Sequence, residues 1–214
     1  MGVNPSDRSD AGPPEKPEKP EMSLTEDERT DTVVAYTTAC AFFGERLAEV
    51  TELDWTADTP CESWDVRMLV AHVVTGEALV TRVLRDGGAW ESQADPSILG
   101  LNPMATWRGT VLAAIESASA DGVLDALHPH AVGELPGGVI IGFRVTENLV
   151  HGWDLARSCG AEVQLPETLA ERCLDFWLPL AGSDVLTGHF GSKVMPPDGA
   201  SAGVRLLSLL GRAA

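Results

Sequence analysis

Lysine is scarce: three in 214 residues, and only Lys193 lies beyond the first 24. Positive charge is short overall, with 15 basic residues against 32 acidic ones and a formal charge of −17. A surface so negative repels phosphate backbones and anionic lipid, which argues against nucleic-acid and membrane partners. Long apolar runs are missing too. None reaches the roughly 18 residues of a membrane helix, and the N-terminus has no signal-peptide core. The four cysteines (Cys40, Cys61, Cys159 and Cys173) show no CxxC spacing. They are too few for a disulfide scaffold, so reduced thiols in a cytoplasmic protein are expected. Hydrophobic residues make up 44% and charged residues 22%, enough apolar content for a packed core.

The chain divides unevenly. Residues 1–23 include Gly12-Pro13-Pro14-Glu15-Lys16-Pro17-Glu18-Lys19-Pro20, a proline-rich charged stretch expected to be a disordered tail. Residues 24–181 read as a helical bundle and 182–214 as a short extension. Thr25 with Glu28 forms a capping-box pattern for helix 1, which is expected to run to about Val50. Ser63 is expected to cap helix 2, with Asp65 well placed against the helix dipole. Asn102-Pro103 opens helix 3. Residues 126–137 read as a loop with one short strand. Helix 4 spans about Gly138 to Cys159, Pro166-Glu167 opens helix 5, and Ser201 caps a last short helix. Four long helices imply an all-α up-and-down or crossover bundle.

Helix 4 carries the most chemistry. With Glu147 at zero on a helical wheel, His151 lies at about 40° and Asp154 at about −20°. Apolar residues surround them, so a carboxylate and an imidazole point into a buried interior. An unpaired buried carboxylate costs several kcal/mol and calls for compensation. On helix 2, His72 shares a face with Met68, Leu69, Leu79 and Val83, and Gly76 leaves space beside the imidazole. Facing helices would bring together His72, Glu147 and His151: two histidines and a carboxylate, the donor set of a zinc site with one open position. The spacing equally allows a hydrogen-bonded core histidine and a local Glu–His pair. Asp154 either orients His151 or bonds a backbone group or an arginine. Arg144, about 60° from Glu147 on the wheel, either faces the cavity as an anion-binding catalytic residue or neutralises Glu147. His128 and His130 read as loop residues, as does His189. Cys61, just before helix 2, is the competing candidate nucleophile.

Two stretches extend this reading. Thr59 to His72, TPCESWDVRMLVAH, resembles the TPC-x-x-W-x-V-R-x-L-x-x-H opening of the mycothiol-dependent maleylpyruvate isomerase N-terminal family. Glu147 to Ala156, ENLVHGWDLA, resembles its second motif, E-x-x-x-H-G-W-D-L-A. Residues 191–212, with Pro196-Pro197 and Leu209-Leu210-Gly211-Arg212, resemble the short C-terminus of one actinobacterial branch. The resemblance implies a DinB-like four-helix bundle, a metal triad on His72, Glu147 and His151, bound zinc or another divalent ion, and a low-molecular-weight thiol such as mycothiol. It implies a small electrophile as substrate, with S-transfer or cis–trans isomerisation as the reaction. A non-catalytic metal or small-molecule binding protein is the remaining alternative. The isomerase proper in that family has a larger C-terminal domain, whereas about 50 residues follow helix 4 here. S-transfer is therefore the leading expectation. With so few bases, Arg144 and Arg82 are the candidates for meeting an anionic substrate.

Overall fold

The computed structural model describes residues 23–91, 93–180 and 193–213. The expected tail up to residue 22, and His189, lie outside these described residues. Helix α1, Glu26–Glu49, starts where the capping box places it. The Thr25 hydroxyl accepts from the Glu28 amide at 3.3 Å, and the Glu28 carboxylate accepts from the Thr25 amide at 2.8 Å. Each bond satisfies a donor that the helix itself cannot. Helix α2, Val66–Leu84, departs from expectation at its start. Its cap is Asp65, whose carboxylate accepts from the Met68 amide at 2.8 Å. Ser63 instead completes the preceding turn in the left-handed region, at φ 67°. Helix α3, Pro103–Ala118, has the expected Asn102 cap and first-turn proline.

Residues 127–136 form more than one strand. β1, Leu127–His130, pairs antiparallel with β2, Gly133–Pro136. Each strand has only one partner, so Pro129 and Pro136 fit a ribbon whose outer edges require no donor. Helix α4, Gly137–Ser158, follows directly, and Gly160 reverses the chain at φ +75°. Helix α5, Glu167–Trp177, tightens into a 3-10 turn over 178–180, where Pro179 has no N–H to extend the ladder. Helix α6, Ala202–Leu209, carries the expected Ser201 cap.

The four long helices α1 to α4 form the bundle. α1 packs chiefly on α4, α2 on α3 and α4, and α3 also on α1. Consecutive α1 and α2 are not closely packed, nor are α3 and α4, which makes this a crossover bundle. α4 is the central element, with Ile140, Ile141, Leu149, Val150 and Leu155 fully enclosed. Gly152 allows its close approach to α1, since a Cβ there would lie 2.8 Å from the Phe42 ring. The Trp177 indole donates to the Thr146 hydroxyl at 2.9 Å and so docks α5 on α4. α6 lies against α5, and its first amide, Ala202, donates to Glu167 at 2.8 Å. Among the described residues, no helix is long and apolar enough to cross a membrane.

Candidate metal centre

α2 supplies His72 from its middle, and α4 supplies Glu147 and His151 one turn apart. Both imidazoles meet one carboxylate oxygen. Glu147 Oε2 lies 2.8 Å from His72 Nε2 and 3.1 Å from His151 Nε2. The two rings stand edge to face with centroids 5.2 Å apart. The three donor atoms all lie within 4.8 Å of one another. Ligands of a tetrahedral zinc with bonds of ~2.0 Å sit about 3.3 Å apart; Glu147 Oε2 is nearer than that to both nitrogens, so a small outward shift of the carboxylate suits this set to a cation. Exposure falls from 26% at His72 to 15% at Glu147 and 6% at His151, so the cluster is entered from the His72 side. Trp64 leans over both rings there, with centroids 4.7 Å from His72 and 6.1 Å from His151. Its other side borders an open groove of about 550 Å³ lined by Asp58, Thr59, Cys61, Asp65 and Met68.

The far side of His151 is equally organised. Its Nδ1 lies 3.0 Å from Asp154 Oδ2, in the orienting role considered for Asp154. Cys61 Sγ sits 3.3 Å from the same oxygen and 3.7 Å from Nδ1. Arg212 grips Asp154 with two nitrogens, Nη2 at 2.8 Å and Nε at 3.2 Å. Cys61, His151 and Asp154 form a second group with metal-ligand spacing, sharing His151 with the first.

Arg144 sits elsewhere than a substrate-gripping role requires. Its guanidinium is 4% exposed and donates to Glu77 at 2.7 and 3.2 Å and to the Val73 carbonyl at 3.3 Å. Glu77 is fully buried, and also accepts from Asn148 at 2.7 Å and from the Tyr36 hydroxyl. Arg144 Nη1 still reaches to 3.8 Å from Glu147, the neutralising contact also considered for it. The space at Gly76 belongs to this arginine and not to His72, because a Cβ there would lie 2.3 Å from Nη1. Gly76→Ala is therefore expected to lower stability by about 1–3 kcal/mol despite alanine's better helix propensity. Thermal unfolding checks this, and an unchanged or raised midpoint would contradict it.

The charges balance in pairs. Arg144 is committed to Glu77 and Arg212 to Asp154, which leaves Glu147 as the carboxylate without a dedicated guanidinium. Burial pushes its pKa up, but hydrogen bonds to His151 and His72 outweigh that and hold it well below the usual range. Burial likewise opposes charge on His151, yet its bonds to Asp154, Cys61 and Glu147 raise its pKa well above the ordinary value. Desolvation dominates at His72 and lowers its pKa. A site built this way stabilises one positive charge beside Glu147, either a proton on His151 or a metal ion.

Among the described residues, the other two histidines are occupied elsewhere. His128 is buried with Nε2 2.9 Å from the Val123 carbonyl, and His130 stacks between Trp90 and Phe143. Arg82 lies on the exposed end of α2, 3.8 Å from Glu91. Three participants escaped the sequence reading. Glu77 had a signal, a lone acid within apolar α2. Trp64 stood inside the first motif. Arg212 stood inside the C-terminal stretch, but nothing local pointed to its partners, since it meets Asp154 across 58 positions and Cys61 across 151.

The family model of the mycothiol maleylpyruvate isomerase N-terminal domain matches residues 36–156, which include His72, Glu147 and His151. The chain belongs to this family. Two uncharacterized proteins of Mycobacterium tuberculosis, one from each of two strains, are each 33% identical to it over 144 residues. The matched region is 66% of this chain and 75% of theirs. Among solved structures, mycothiol-dependent maleylpyruvate isomerase superposes with a TM-score of 0.60 at 15% identity, over 80% of this chain and 76% of that one. A histidine-to-alanine mutant of the same enzyme gives 0.61 at 14% identity, with the same coverage. The likeness establishes the DinB-like helical fold.

Proposed function

We propose that this family member is a metal-dependent enzyme in which His72, Glu147 and His151 hold zinc or another divalent ion, and that it activates a low-molecular-weight thiol such as mycothiol for S-transfer to a small electrophile. The observation that carries this reading is the meeting of two imidazole nitrogens on one carboxylate oxygen at 2.8 and 3.1 Å, at the partly open end of a buried cluster. A bound cation would act as a Lewis acid and favour the ionised form of a thiol presented beside it. Asp154 keeps the Nδ1 proton of His151, which directs Nε2 toward the ligand position. Trp64 shields both imidazoles on the entry side, and the adjoining groove offers the thiol's polar portion a place to lie. Arg144 restrains the charge on Glu147 and leaves contact with the electrophile to other groups. Four free thiols fit a reducing compartment, so we place the reaction in the cytoplasm.

The family match favours one second reading, in which the thiol adds to a maleylpyruvate-like substrate, permits rotation and departs. One experiment tests both. Calorimetry with mycothiol on the zinc-loaded and chelated protein is expected to show binding only when zinc is present. Product analysis then separates a retained thioether, the mark of transfer, from an isomer with the thiol recovered. Zinc binding without thiol affinity would overturn both readings.

A further inference from the structure

Arg212 follows the C-cap of α6 by two residues. The chain turns at Gly211, where φ is +83°, and the Arg212 amide bonds the Leu207 carbonyl at 2.8 Å. Arg212 Nη1 donates to the Leu210 carbonyl at 2.8 Å, so backbone contacts of its own segment fix the guanidinium. The remaining nitrogens form a fork on both oxygens of Asp154, and Nη2 also reaches Cys61 Sγ at 3.3 Å. The side chain is 8% exposed against 0% for Asp154. Buried two-point pairs of this kind set geometry as well as charge.

The pair decides how His151 is presented. Asp154 Oδ2 takes a bond from Arg212 and lies 3.0 Å from His151 Nδ1. With Asp154 held as an anion, Nδ1 carries the proton and donates it, and Nε2 becomes the ligand atom facing Glu147. Cys61, Asp154 and Nδ1 have metal-ligand spacing of their own, but the guanidinium already supplies the positive charge there.

We propose that Arg212 is a positioning residue of the metal centre: from the C-terminal segment it holds Asp154, and through Asp154 it fixes the orientation and tautomer of His151. This inference rests on the metal reading above.

The test is zinc affinity, measured by competition with a chromophoric chelator on the full chain. The variants are Arg212→Ala, Arg212→Lys, Asp154→Asn and the Arg212→Ala/Asp154→Asn double. Arg212→Ala is expected to bind zinc about 10–100-fold more weakly than wild type. Arg212→Lys should recover part of that loss, since it restores charge without the planar fork. On the Asp154→Asn background, Arg212→Ala should cost little more, because both act through one contact. A merely structural arginine would lower the unfolding midpoint while leaving the affinity of folded protein intact. If Arg212→Ala does not fold, Arg212→Gln is read by the same criteria. Affinity within about twofold of wild type, or an equal loss on both backgrounds, overturns the proposal. Failure of the wild-type protein to bind zinc would instead remove the metal reading, and this inference with it.

Discussion

Glu147→Gln is expected to abolish stoichiometric zinc binding while leaving the helical fold in place. Glu147 Oε2 is the atom that both imidazoles reach, so the substitution strikes the point where α2 and α4 converge. Glutamine has the same size, but it presents a neutral oxygen and an NH2 group that has nothing to give a cation. Two histidines without an anionic partner make a poor site for a divalent ion in a chain interior. The affinity loss should exceed the roughly 100-fold reached by changes outside the ligand set. The fold should survive, because Arg144 keeps its main partner, Glu77, and the helices keep their apolar contacts. Equilibrium dialysis with elemental analysis measures the first effect and circular dichroism the second. His72→Ala should behave similarly. Retention of wild-type zinc content by either variant would show that the triad is not the metal site.

The buried pair of Arg144 and Glu77 should dominate stability. Removing one member of such a pair strands the other charge, which typically costs about 3–5 kcal/mol. For a chain of this length, that corresponds to a fall of roughly 6–20 °C in the unfolding midpoint. Glu77 variants should suffer more than Arg144 variants. Glu77 accepts from Tyr36 and Asn148 as well as from the arginine, so its loss leaves three donors without their acceptor. Arg144→Met leaves only the carboxylate short of a partner, and Tyr36 and Asn148 still satisfy part of it. The double change Glu77→Leu/Arg144→Met should recover only some of the loss, because Tyr36 and Asn148 remain stranded. Urea unfolding of the three variants resolves this order. An Arg144→Met midpoint equal to wild type would remove the pair from the stability account.

Much of the bundle was written locally. Thr25 with Glu28, Asn102 with Pro103, and Ser201 each place a helix start within their own few residues, and the structure agrees. At α2 the expected cap, Ser63, gave way to Asp65, because Ser63 is the left-handed residue of the preceding turn. The hairpin at 127–136 was obscured by its prolines, which a two-stranded ribbon tolerates and a wider sheet does not. Glu147 and His151 were legible because helical periodicity alone places them on one face. His72 joined them on the strength of an apolar stripe on another helix. Arg144 could not be resolved that way. A wheel gives direction but not reach, and its long side chain follows α2 to Glu77. Arg212 was beyond any local pattern, since its partners are set by how the last segment docks.

The packing of α1 on α4 also bears on how the chain reaches this state. In an up-and-down bundle each helix first meets its sequence neighbour, and such local contacts make folding fast. Here, of the four bundle helices, only α2 and α3 are both consecutive and closely paired among the described residues, while the main partner of the first helix is the fourth. Closing that long intervening loop costs entropy before its contacts return any. The histidine on α2 and the acid on α4 meet through a second non-local pairing, that of α2 with α4, across 75 positions. His72, Glu147 and His151 therefore converge only after a long loop is closed, and partly collapsed chains lacking the α2–α4 pairing do not hold the three side chains together.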